Sequence, residues 1–169
     1  LSYCQSSNRR QRMQQEAFMP IQRLKQTGYT VATAESCTGG LLAVWLTDLP
    51  GSSDWFDRGW VVYSNGSKTT ELGVDERVID KHGPVSESVV MAMCVGAHEK
   101  SNADITLATT GLAGPGGDGS LLSVGTVWVA CHFKGQTHTR MLEIPGDRQA
   151  VREQAAIAVL ALMAEIISQ

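Results

Sequence analysis

Short β-branched runs interleaved with stretches of helical period restrict the fold of this chain more than any other feature. Tyr29 to Ala34 alternates and is β-branched, and Trp60 to Ser64 and Ile105 to Thr110 read the same way. Val124 to Phe133 and Gln136 to Ile144 form a hairpin pattern around Lys134-Gly135. Between them lie apolar residues at helical spacing. Residues 10–27 carry Met13, Ala17, Ile21 and Leu24, with Pro20 kinking or restarting the helix and Gly28 stopping it. Leu41, Leu42, Val44, Trp45 and Leu46 form the body of a second helix. Short helices are expected near 69–72 and over 75–82. Ser86 caps a longer one with Val89, Val90, Met93 and Ala97 inward, and Asp147 caps the last, with Val151, Ala155, Ala158, Val159 and Leu162 inward. A sheet fed by helices in this order must be covered on both faces. The expectation is α/β: a three-layer α/β/α sandwich with a mixed sheet. The 169 residues suit a single domain over 1–169, without linker or repeat. Residues 1–15 read as a lead outside the packed unit.

Composition narrows the function classes. Lys plus Arg number 14 against 17 Asp plus Glu, a net charge of −3. That balance argues against a nucleic-acid partner, since phosphate backbones select basic faces. Arg9, Arg10 and Arg12 read as a solvated helix entry. No apolar run is long enough to cross a bilayer, and the N-terminus lacks the apolar core of a secretory signal. Cys4, Cys37, Cys94 and Cys131 are scattered without C-x-x-C spacing, so they read as reduced thiols of a cytoplasmic protein. No metal site is expected.

Three polar loops follow strands, the place where α/β sheets collect ligands. Glu35–Gly40 leaves a strand and enters a helix. Its backbone N–H groups suit an anion or a developing oxyanion, with Ser36 and Thr38 adding hydroxyls and Gly39-Gly40 admitting a ligand. A plain helix cap fits the same residues. Ser64–Lys68 is the second loop. Thr109–Gly119 is the third: its glycines lack the Lys-Ser/Thr of a P-loop and the spacing of a dinucleotide fingerprint. It suits a phosphate or ribose cradle, or a plain surface loop. No G-x-S-x-G elbow and no S-x-x-K pair occurs. A lysine dried by burial can deprotonate a serine without histidine, and Lys68 with Ser52 or Ser53 offers that chemistry. An exposed lysine and a capping serine are the plain alternative.

Taken in order, these segments carry a resemblance. They are Ala34-Glu35-Ser36-Cys37-Thr38-Gly39-Gly40, Pro50-Gly51-Ser52-Ser53, Tyr63-Ser64-Asn65 with Lys68, and Gly83-Pro84-Val85-Ser86. Thr110-Gly111-Leu112-Ala113-Gly114-Pro115-Gly116-Gly117, Val124-Gly125-Thr126-Val127-Trp128, and Gly146-Asp147-Arg148 with Arg152 follow. Over roughly residues 20–165 the chain resembles the CinA C-terminal domain family, of the PncC nicotinamide-nucleotide amidohydrolase type. The resemblance implies hydrolysis of the carboxamide of nicotinamide mononucleotide to nicotinate mononucleotide and ammonia, in pyridine nucleotide recycling. It implies a metal-free Ser–Lys mechanism with no cofactor. Carried onto this chain, Ser53 is the expected nucleophile, Lys68 the base and Tyr63 their orienting partner, with Ser36 as the reserve nucleophile. Thr38, Gly39, Gly40, Thr110, Gly111 and Gly114 are expected to line the substrate site, and Arg148 to meet the phosphate. A pyridine mononucleotide is the implied partner, and a homo-oligomer the implied assembly.

The chain departs from the family pattern at three places, one of them a short loop after Gly117. Gly66 and Ser67 stand where an acidic and a small residue are usual, and Leu122-Ser123 stands where a Lys-Pro pair is usual. A catalytically impaired paralogue that binds nucleotide, or a competence-related interaction protein, is the alternative these departures leave.

Overall fold

The computed structural model describes residues 2–169, with side chains at residue 11 and from residue 15 onward. The elements run α1 (Ser2–Thr27), β1 (Val31–Glu35), α2 (Leu41–Thr47), a 3₁₀ turn (Ser52–Asp54), β2 (Phe56–Val61), α3 (Asn65–Leu72), α4 (Glu76–His82) and α5 (Glu87–Ser101). β3 (Ile105–Gly111), β4 (Thr126–Phe133), β5 (Gln136–Glu143) and α6 (Arg148–Ile166) complete the chain. The strands form one sheet in the order β2-β1-β3-β4-β5. β1 pairs in parallel with β2 and β3, whereas β3–β4 and β4–β5 are antiparallel. This is the mixed sheet expected from the late hairpin.

Alternation along the strands splits the core in two. Val31, Ile105, Leu107, Val127 and Val129 meet Ile21 and Leu24 of α1, Leu42 and Leu46 of α2, and Val151, Ala155 and Val159 of α6. Ala34, Ala108 and Ala130 meet Leu72, Ile79, Val89, Val90 and Met93 on the opposite face. The three layers are therefore α1/α2/α6, sheet, and α3/α4/α5. Small strand residues beneath α5 let that helix sit close to the sheet. Gly96 lets α5 sit close to α3, because a Cβ there would lie 2.0 Å from the carbonyl oxygen of Leu72, the last residue of α3.

Some element bounds differ from the expected ones. α1 runs through Pro20, with Ala17 and Ile21 buried around it. The lead expected over 1–15 is helical backbone from Ser2 and continuous with α1, while the side chains of Arg9, Arg10 and Arg12 lie outside the described ones. β2 begins at Phe56 and not Trp60, because Val31 of β1 pairs with it there. As an edge strand exposed over Asp57, Arg58 and Gly59, it carries little of the apolar alternation that marks a strand in sequence. Ser64 then caps α3, accepting from the Ser67 N–H at 3.1 Å, so the polar stretch 65–68 is the first turn of a helix.

Candidate active site

β1, β2 and β3 run in one direction, so their carboxyl ends and the loops after them share one edge of the sheet. β5 runs the same way through two antiparallel steps, and α6 starts from that edge. A cavity of about 260 Å³ opens there. Ser36, Cys37, Tyr63, Asn65 and Lys68 line it on the β1 and β2 side, with Pro84 and Val85 ahead of α5. Thr110 to Gly114, Gly116, Gly117, Asp118 and Arg148 line the other. Residues from the three polar loops expected from sequence thus line one cavity.

Lys68 is the unusual member. It projects from α3 at 1% exposure, and its Nζ donates to the Tyr63 carbonyl at 3.2 Å. Burial holds its pKa below the ordinary lysine value, against the influence of Cys37. Ser36 is 7% exposed, and its N–H donates to the Thr109 carbonyl at 3.0 Å, which ties the serine loop to β3. The Cys37 thiol is pushed up to about 12, chiefly by burial, so it stays protonated and packs as an apolar group.

Tyr63 has a different place from the one expected. Its main-chain carbonyl holds Lys68, while its half-exposed phenol accepts from Arg148 Nη2 at 2.8 Å. Arg148 also donates to the Gly114 carbonyl at 2.7 Å, so it joins the glycine loop to Tyr63 across the cavity mouth. The Thr110 hydroxyl lines the cavity and donates to the Pro84 carbonyl at 2.8 Å.

Ser53 is separated from this cluster. Its 3₁₀ turn precedes β2, whereas Lys68 follows it, so the length of the strand, roughly 20 Å at about 3.3 Å per residue, lies between them. The serine that shares the cavity with Lys68 is Ser36. Thr38, Gly39 and Gly40 are not among the residues that line the cavity. The Thr38 hydroxyl donates to Glu35 Oε1 at 2.7 Å and lies 2.8 Å from the Thr109 hydroxyl. The expected free N–H groups at the start of α2 are occupied: Leu42 and Ala43 donate to the Glu35 carboxylate at 2.9 and 3.1 Å. A buried carboxylate at a helix start satisfies orphan donors and the helix dipole together.

Glu35 and Arg152 were not among the expected site residues. Arg152 Nε donates to the Cys37 carbonyl at 3.2 Å and Nη2 to the Thr38 carbonyl at 3.0 Å. One signal was present, since Arg148 and Arg152 are four residues apart on a helix and share a face. Among the described residues no grouping of three or more His, Cys, Asp or Glu suits a metal ion, and no helix is long and apolar enough to cross a membrane.

Comparison with known proteins adds an independent line. The CinA C-terminal domain family matches residues 13–167. A CinA-like protein of Akkermansia muciniphila is 49% identical over 139 residues, which cover 82% of this chain and 34% of that protein. This chain thus spans about a third of that longer relative. The nicotinamide-nucleotide amidohydrolase PncC of Escherichia coli K12 is 48% identical over 140 residues, covering 82% of this chain and 85% of that protein. In three dimensions a CinA superfamily protein from Klebsiella pneumoniae gives a TM-score of 0.89 at 34% identity, over 92% of this chain and 98% of the other. Motif order, fold and these matches agree, and the chain belongs to the CinA C-terminal domain family.

Proposed function

We propose that this chain hydrolyses the carboxamide of nicotinamide mononucleotide, yielding nicotinate mononucleotide and ammonia, with Ser36 as nucleophile and Lys68 as base. One observation carries the reading: a lysine at 1% exposure faces the same small cavity as a nearly buried serine. The Escherichia coli relative, a nicotinamide-nucleotide amidohydrolase by name, supports the choice of substrate.

The chemistry follows from the protonation states. Burial lowers the Lys68 pKa and so favours the neutral amine that a base requires. That amine takes the Ser36 proton as the serine oxygen attacks the amide carbon. Collapse of the tetrahedral intermediate breaks the C–N bond, and the lysine returns the proton to the departing ammonia. Water then attacks the acyl-serine, with the same amine as base, and releases the carboxylate. Arg148, at the cavity mouth, suits the phosphate through donors beyond those given to Tyr63 and Gly114. The backbone from Gly111 to Gly117 wraps the rest of the nucleotide. The same reading carries a cytoplasmic setting and a homo-oligomer, the latter checked by the solution mass.

Ammonia release from nicotinamide mononucleotide by purified protein is the test. Ser36→Ala and Lys68→Ala are expected to lower turnover by about 10²-fold or more, and Ser53→Ala to leave it near normal. Loss in Ser53→Ala with full activity in Ser36→Ala would reverse the assignment. Tight nucleotide binding without ammonia release would leave a nucleotide receptor in place of an enzyme.

A further inference from the structure

The loop carrying Ser36 is held from two sides by ionic side chains. On the α2 side the Glu35 carboxylate gathers the Thr38 hydroxyl and the Leu42 and Ala43 N–H groups. On the α6 side the Arg152 guanidinium takes the Cys37 and Thr38 carbonyls. Gly39 is part of this second hold. A Cβ there would lie 3.2 Å from Arg152 Nη2, and its φ of +59° is strained for other residues. Arg148, one helical turn earlier, lines the cavity, whereas Arg152 does not and bonds the loop carbonyls.

The orientation of these peptides bears on catalysis. In a trans peptide the C=O and the following N–H point opposite ways. Drawing the Cys37 carbonyl toward α6 therefore turns the Thr38 N–H away from α6. Carbonyls beside an attacking serine repel the oxygen on which negative charge develops, and N–H groups stabilise it. Arg152 also puts a positive charge beside the loop without a place in the cavity.

We infer that Arg152 is a positioning residue for the proposed hydrolysis, fixing the peptide orientation of the Ser36 loop through the Cys37 and Thr38 carbonyls. This rests on the Ser36–Lys68 reading above. It assigns α6 two neighbouring arginines with separate duties: Arg148 meets substrate, and Arg152 sets the backbone beside the nucleophile.

The experiment compares Arg152→Ala, Arg152→Lys and Arg148→Ala in steady-state ammonia release, with melting temperature measured on each. Arg152→Ala is expected to lower kcat by about 100-fold, the scale of a small misplacement of reacting groups, with KM little changed. Millimolar guanidinium is expected to restore part of that loss. Arg152→Lys should fall between Ala and wild type, since an ammonium cannot match the fork across two carbonyls. Arg148→Ala should act mainly on KM. Wild-type kcat in Arg152→Ala overturns the inference, and so does a loss that tracks a lowered melting temperature and resists guanidinium. Should Ser36→Ala retain activity, the nucleophile reading fails; should Ser36→Ala be inactive while Arg152→Ala is normal, the inference alone fails.

Discussion

At the scale of single residues, the cost and the use of Lys68 have the same origin. Burial disfavours its ammonium, so its pKa in the folded chain lies below the ordinary 10.5. Between the lowered value and 10.5 the unfolded chain binds more protons, so stability rises with pH through that window and the full penalty is felt below it. Lys68→Met is therefore expected to raise the melting temperature at neutral pH while reducing ammonia release by about 10²- to 10⁴-fold; thermal denaturation and turnover on one preparation check both. In the wild type, kcat/KM should climb with pH to an inflection below the usual lysine value. His132 shows the same sign in the acid range. Its pKa is lowered by burial and by His98, whose ring lies 4.4 Å away. Below 6.5 the unfolded chain takes up the proton first, so stability falls as pH drops toward the folded value. His132→Gln, which keeps a polar group near the Thr137 hydroxyl, should flatten that acid slope in melting experiments.

At the scale of elements, caps and turns made much of the fold readable. Ser86 accepts from the Val89 N–H at 3.3 Å and Asp147 from the Ala150 N–H at 2.8 Å, where the sequence places those caps. Lys134 and Gly135, at φ 49° and 77°, supply the two positive dihedrals that a tight hairpin turn needs. Asp147→Ala is expected to cost about 1 kcal/mol, read by urea unfolding. Gly96 is a matter of packing between elements and not of local preference. Gly96→Ala raises helix propensity but drives a methyl into the Leu72 carbonyl. It should lower stability by about 1–3 kcal/mol, and a stabilised variant would show that α3 and α5 can part freely. β2 starts earlier than its sequence pattern suggests because an edge strand answers to its neighbour's hydrogen bonds, and exposed Asp57, Arg58 and Gly59 give no periodic signal.

At the scale of the whole molecule, the parallel core of the sheet sends its loops to one edge, and that decides which residues can react together. The glycine loop from Gly116 to Ser120 is exposed and touches the cavity through Gly116, Gly117 and Asp118. Shortening it should raise KM for nucleotide about tenfold, near 1.4 kcal/mol, with the melting temperature unchanged, because it contributes wall and not core. Local chemistry was enough for the sequence to determine the layers, the helix caps and the hairpin, since period, cap and turn preferences act within a few residues, whereas the candidacy of Thr110 and Arg148 came from the family resemblance. Only the tertiary structure favours Ser36 over Ser53 for the proposed reaction, because strand direction brings Ser36 to the cavity that Lys68 lines and leaves Ser53 at the far end of β2. It alone showed the α2 donors filled by Glu35 and the serine loop gripped by Arg152, a residue 114 positions beyond Thr38. Contacts at such separation are set by how the sheet and α6 pack, and no local preference encodes them.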